Sequence, residues 1–129
     1  MRNIFNLLYL SFCWLYTRLF HHNQRIIRLP IVIRGGSMIK YGKNLTTGKN
    51  CRLEVIGKSE KFRLSFGSNV QINDNVHIAA ALNVELGNDV LIASRVFITD
   101  HDHGFYSGNT QCSPNDLPVV RPLNMSQVK

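Results

Sequence analysis

The 129-residue chain is 44 % hydrophobic and 18 % charged, which sets aside a disordered protein and allows one continuous core. Its formal charge of +7 is polarised: 12 Lys and Arg stand against Glu54 and Glu60 up to Arg63, whereas 3 basic residues meet 6 acidic ones from Leu64 onward. The basic residues are scattered singly, without a recognition-helix or RNP-like pattern, so an anionic surface suits the first half and nucleic acid is not expected as a partner.

The first segment, residues 1–33, is expected to be apolar, basic and helical. Asn3 to Thr17 (NIFNLLYLSFCWLYT) carries no charge and lies between Arg2 and Arg18. Fifteen helical residues span roughly 22 Å, short of a hydrocarbon core of about 30 Å. No small-x-small cleavage site follows, which argues against a secretory signal. Two readings remain open: an interfacial helix, with Trp14, Tyr9 and Tyr16 at the headgroup level and Arg18, Arg25 and Arg28 toward anionic lipid, or a helix packed on the protein body. His21 and His22 read as surface or interfacial residues. Cys13, Cys51 and Cys112 form an odd set without CxxC spacing, which disfavours a disulfide framework or zinc site and suits a reducing, cytoplasmic compartment.

From Phe66 the chain divides into sixes: FGSNVQ, INDNVH, IAAALN, a two-residue step at Val84-Glu85, then LGNDVL, IASRVF and ITD. First positions read Phe66, Ile72, Ile78, Leu86, Ile92, Ile98, and fifth positions Val70, Val76, Leu82, Val90, Val96. YGKNLT and TGKNCR look like a degenerate start. Neither a helical nor an alternating period gives this spacing. A short strand and a tight turn every six residues does, with first-position side chains inward and small residues or Asn/Asp at positions two to four where a positive φ is needed. Stacked coils bury a ladder that no single coil could bury. The expectation is an all-β parallel β-helix over residues 38–129, preceded by the apolar helix.

This repeat resembles that of the hexapeptide acyltransferases, and within them the maltose/galactoside and streptogramin acetyltransferase branch and the related polysaccharide O-acetyltransferases. The resemblance covers roughly Ile39 to Pro122. It implies a left-handed coil, acetyl-CoA as co-substrate without a metal, a sugar or glycan acceptor, and a homotrimer with sites between subunits.

The repeat breaks at ITDHDHGFYSGNTQCSPNDLP, Ile98 to Pro118, and residues 99–118 form a polar loop of the kind that carries function. His101 and His103, with Asp100 and Asp102, stand where this loop leaves the core. In the branch resembled, a histidine ten residues after the alanine of an IAxxVxI coil is the general base. Counting from Ala93, that histidine is His103, with His101 second. An imidazole with an unperturbed pKa of about 6.5 can take a hydroxyl proton at neutral pH and return one to a leaving thiolate. Asp100 or Asp102 would orient the ring or contact the acceptor, Tyr106 joins them as an acceptor contact, and Ala93 belongs to the CoA side. Competing readings are solvated loop histidines and a metal site. His-x-His puts both rings on one face, and the γ-class carbonic anhydrases bind zinc on this fold, but with wider spacing than HDH.

The resemblance also implies further coils after the loop, which form much of the CoA groove, where this chain reads VVRPLNMSQVK. It implies an acceptor-site asparagine near Ala79, which has no counterpart. Two functions are therefore expected: an acetyl-CoA-dependent O-acetyltransferase acting on a sugar hydroxyl in surface polysaccharide (lipopolysaccharide or capsule) synthesis at the inner membrane face, or a truncated, inactive β-helix that serves only as an interaction module.

Overall fold

A computed structural model of the chain describes residues 3–129; Met1 and Arg2, with the flanking charge expected at Arg2, lie outside the described residues. Helix α1 (Ile4–Phe20) comes first. Three coils follow: β1 (Ile31–Arg34), β2 (Ile39–Lys40) and β3 (Thr46–Thr47); β4 (Cys51–Val55), β5 (Leu64–Phe66) and β6 (Gln71–Ile72); β7 (His77–Ala80), β8 (Val84–Leu86) and β9 (Leu91–Ile92). A fourth opens with β10 (Phe97–Thr99). Corresponding strands stack in parallel into three sheets, β1-β4-β7-β10, β2-β5-β8 and β3-β6-β9. The molecule is a left-handed parallel β-helix with one N-terminal helix.

The register shows why the sixes matter. Ile33, Leu53, Ile78 and Ile98 stack on one face. Ile39, Leu64 and Val84 stack on the second, and Thr47, Ile72 and Ile92 on the third. These ladders, with Leu45, Val70 and Val76 from the fifth positions, form the core. The degenerate start is in register too: Tyr41 stacks on Phe66 with nearly parallel rings 5.8 Å apart.

Positive φ values fall at the fourth position of six repeats: Asn44, Asn50, Asn69, Asn75, Asp89 and Arg95. Asn and Asp tolerate this left-handed turn because their short polar side chains bond locally. Here those side chains also bond to the next coil, Asn44 Nδ2 donating to Asn69 Oδ1 at 3.1 Å and Asn69 Nδ2 to Asp89 Oδ1 at 2.9 Å.

The eight-residue step departs from the pattern. Leu82, at a fifth position, is 40 % exposed, and Val84 takes the inward place with none of its surface exposed. Without a left-handed residue at Ala81, the two extra residues carry the chain round a wider corner that turns Leu82 outward.

The N-terminal boundary differs as well. The segment 1–33 is helical only to Phe20. Ile26 already bridges to Thr46, and Ile31–Arg34 is β1, so the coil starts before residue 38. IRLPIVIRGG carries no hexapeptide mark because its strand pairs on one side only, with β4.

Helix α1 starts at Asn3, whose side chain accepts from the Phe5 amide at 3.2 Å. Its inner face packs on the first coil. Buried Thr17 accepts from the Ile27 amide at 2.8 Å while donating to the Cys13 carbonyl, and Tyr9 donates to the Leu29 carbonyl at 2.7 Å.

Candidate active site

The break in the repeat is built on strand β10. Thr99 pairs with Ala79 of β7, which pairs with Glu54 of β4. After Asp100 the chain runs as β11 (His101–His103), antiparallel to β12 (Leu123–Met125), with His101 opposite Met125 and His103 opposite Leu123. Residues 104–122 leave the coil as an irregular loop, and Val128 returns to stack beside Val84. The loop is therefore an excursion between two faces of the fourth coil.

Asp100 is the hinge of this arrangement. Its side chain is fully buried. Oδ1 accepts from the Ala81 amide at 2.8 Å, and Oδ2 accepts from the Leu82 and Asn83 amides, each at 2.7 Å. These are the amides of the wide corner, so the carboxylate supplies the turn that a left-handed residue supplies elsewhere. Burial pushes the Asp100 carboxyl up, but the Ala81 amide, the His101 imidazole and the Leu82 and Asn83 amides outweigh it and hold the group below the usual carboxylate range.

His101 Nδ1 lies 3.0 Å from Asp100 Oδ1 and 3.0 Å from Thr99 Oγ1. An ionised carboxylate only accepts, so Nδ1 carries a proton, which in the neutral ring leaves the lone pair on Nε2. That Nε2 has no partner among the described residues and is not sealed from solvent, although the side chain is only 9 % exposed. A base whose second nitrogen is held by a buried carboxylate is the arrangement general base catalysis needs.

His103 is placed differently. Its ring is 6.4 Å from that of His101, edge-on, and the residue is exposed. The two rings share a side of β11, and among the described residues no carboxylate bonds to the His103 ring. The Tyr106 hydroxyl donates to the His103 carbonyl, tying the loop back to the strand. Tyr106 and Asp102 are exposed. Ala93 lies exposed at the corner after β9, on the last complete coil. The structure thus brings Asp100, His101 and His103 together, ties Tyr106 to the His103 carbonyl, and leaves Asp102 on the other side of β11 and Ala93 at a separate corner.

Two features escaped the sequence. The first is the corner of Ala81 to Asn83 as the carboxylate's seat. The second is a cluster beside Ala79: Glu54 Oε1 lies 2.7 Å from His77 Nε2, and Glu54 Oε2 accepts from Arg52 at 2.9 Å. Burial raises the Glu54 carboxyl, and its bonds to His77 and Arg52 bring it below its ordinary value. Phe97 packs on the His77 ring at 4.8 Å. These partners come from three coils, and only the coil register puts them together. Among the described residues no group of three or more His, Cys, Asp or Glu is arranged to hold a metal ion. The three cysteines are free.

The chain is 48 % identical over 115 residues to a protein of Escherichia coli (strain K12) named putative lipopolysaccharide biosynthesis O-acetyl transferase WbbJ. The alignment covers 88 % of this chain and 57 % of that relative, so the chain spans little more than half of the relative's length. No protein-family model matches the chain, and no solved structure matches it.

Proposed function

We propose that this chain carries the acetyl-transfer site of an O-acetyltransferase that acylates a sugar hydroxyl in surface polysaccharide synthesis. The observation that carries the reading is the Asp100–His101 pair, with Nε2 left as an oriented base at the break in the repeat. The name of the E. coli relative supports the same chemistry and points to lipopolysaccharide.

In this reading the acceptor hydroxyl sits against His101 Nε2, which takes its proton as the oxygen attacks the thioester carbonyl of acetyl-CoA. The new C–O bond forms, the C–S bond breaks, and the imidazolium returns the proton to the departing thiolate. Asp100, ionised and sealed, stabilises the imidazolium through Nδ1. This assignment places His101 ahead of His103, the reverse of the order that spacing suggests. His103, Asp102 and Tyr106 then contact the acceptor or a neighbouring subunit of a homotrimer. Ala93, with only a methyl group at its exposed corner, leaves room for the pantetheine arm. The acceptor is a glycan or its lipid-linked precursor at the inner membrane face.

The test is to incubate the chain with acetyl-CoA and a panel of free and lipid-linked glycans, following thiol release and acetylated product by mass spectrometry. Acceptor-dependent release with a matching acetylated glycan is expected. A folded chain that releases no thiol with any acceptor would support an interaction module instead.

A further inference from the structure

Helix α1 is apolar on both sides. Cys13 and Thr17 mark the face buried against the first coil. On the opposite face Phe5, Leu8, Phe12, Leu15 and Leu19 form a continuous stripe, each 51–73 % exposed. An amphipathic surface helix turns its polar side outward; this one does the reverse. Leu7 and Trp14 widen the apolar sector on one side and Phe20 on the other, all about half exposed or more. A coiled-coil seam is narrower than this, and polar residues flank it. Among α1 residues only Arg18 is charged, and its guanidinium stacks on Trp14 at 5.5 Å. Between α1 and the first coil runs a groove of about 720 Å³ walled by Leu10, Trp14 and Ile26, with Arg28 on its lining.

The charge is equally one-sided. No Asp or Glu occurs before Glu54, while nine Lys and Arg do. A second copy docking by the same face would set like charges against each other. No described helix is long and apolar enough to cross a membrane, and the inner face of α1 is already bonded to Ile27 and Leu29. A broad apolar face rimmed by Trp and Arg matches a helix lying in the headgroup–acyl boundary.

We propose that α1 docks this protein flat on an anionic lipid bilayer, the Phe5-to-Leu19 stripe entering the acyl region and Arg18 and Arg25 meeting lipid phosphates. This docking goes beyond the acetyl-transfer reading and needs no substrate, although it would hold the site near lipid-linked acceptors.

Trp14 is the sole tryptophan in the chain, so its emission reports on α1 directly. The full chain is mixed, without acetyl-CoA, with vesicles of phosphatidylcholine alone or with phosphatidylglycerol added. The expected result is co-sedimentation with the anionic vesicles, a blue shift of Trp14 emission, quenching by brominated acyl chains, and weakening in high salt. Leu8→Glu with Leu15→Glu should abolish binding, and Arg18→Gln with Arg25→Gln should weaken it about tenfold or more, with melting curves unchanged in both. Unchanged Trp14 emission, equal binding to neutral vesicles, or self-association through α1 that excludes vesicles would each overturn the proposal. Since no acetyl-CoA is present, failure here is distinct from failure of acetyl transfer.

Discussion

The Asp100 carboxylate stands 3.0 Å from His101 Nδ1 while its two oxygens take the amides of Ala81, Leu82 and Asn83. One side chain therefore closes the corner between β7 and β8 and orients the proposed base. In the proposed mechanism, stability and activity are coupled through it.

Removing that side chain should be costly. Asp100→Ala leaves one buried and two part-buried amides without their acceptor and should destabilise the chain by about 2–3 kcal/mol. The pH dependence has a definite sign. The folded Asp100 titrates below its ordinary value, so its stabilisation is fully present above the unfolded pKa of about 3.9 and is lost as pH falls through the folded value. Urea melts between neutral and acidic pH should show wild type losing stability over that acid range. Asp100→Ala should lose less.

Two glycines at the same repeat position should behave oppositely. A Cβ on Gly67 would meet the backbone of Gly87 in the next coil, whereas a Cβ on Gly87 meets nothing within 4 Å. Gly67→Ala should cost about 1–3 kcal/mol, and Gly87→Ala should stay within about 0.5 kcal/mol of wild type. Paired thermal melts check both.

Arg95 holds a left-handed conformation, φ 63°, at a position that is Asn or Asp in the other five left-handed repeats. An ordinary side chain there costs about 1–2 kcal/mol. Arg95→Asn should therefore raise the melting temperature, with a gain of about 1 kcal/mol. No gain would mean that the Arg95 side chain makes a compensating contact.

Much of the fold was legible because the repeat states its own geometry. Ile72 and Ile78 are buried as first-position residues should be, and Asn69 and Asn75 turn the chain with positive φ. Leu82 departs from the buried fifth positions Val70 and Val76 because the two-residue step puts Val84 inward in its place. β1 was missed because it contributes a strand without a full hexapeptide.

The site was legible only as a locality. HDH at a break drew attention to both histidines, but their proposed order rests on where the Asp100 carboxylate points. Asp100 reaches amides 17–19 positions earlier in the chain, a relation that depends on coil register and not on local pattern. The Glu54–His77 contact has the same origin.

The most direct test compares thiol release from acetyl-CoA by wild type, His101→Ala and His103→Ala on an accepted glycan, with folding checked by circular dichroism. General base catalysis is worth about 10²–10⁴-fold. The account predicts a loss of that size in His101→Ala and a change of only a few fold in kcat for His103→Ala. A His101→Ala protein that keeps its rate while His103→Ala loses it would contradict the assignment of His101 as the base.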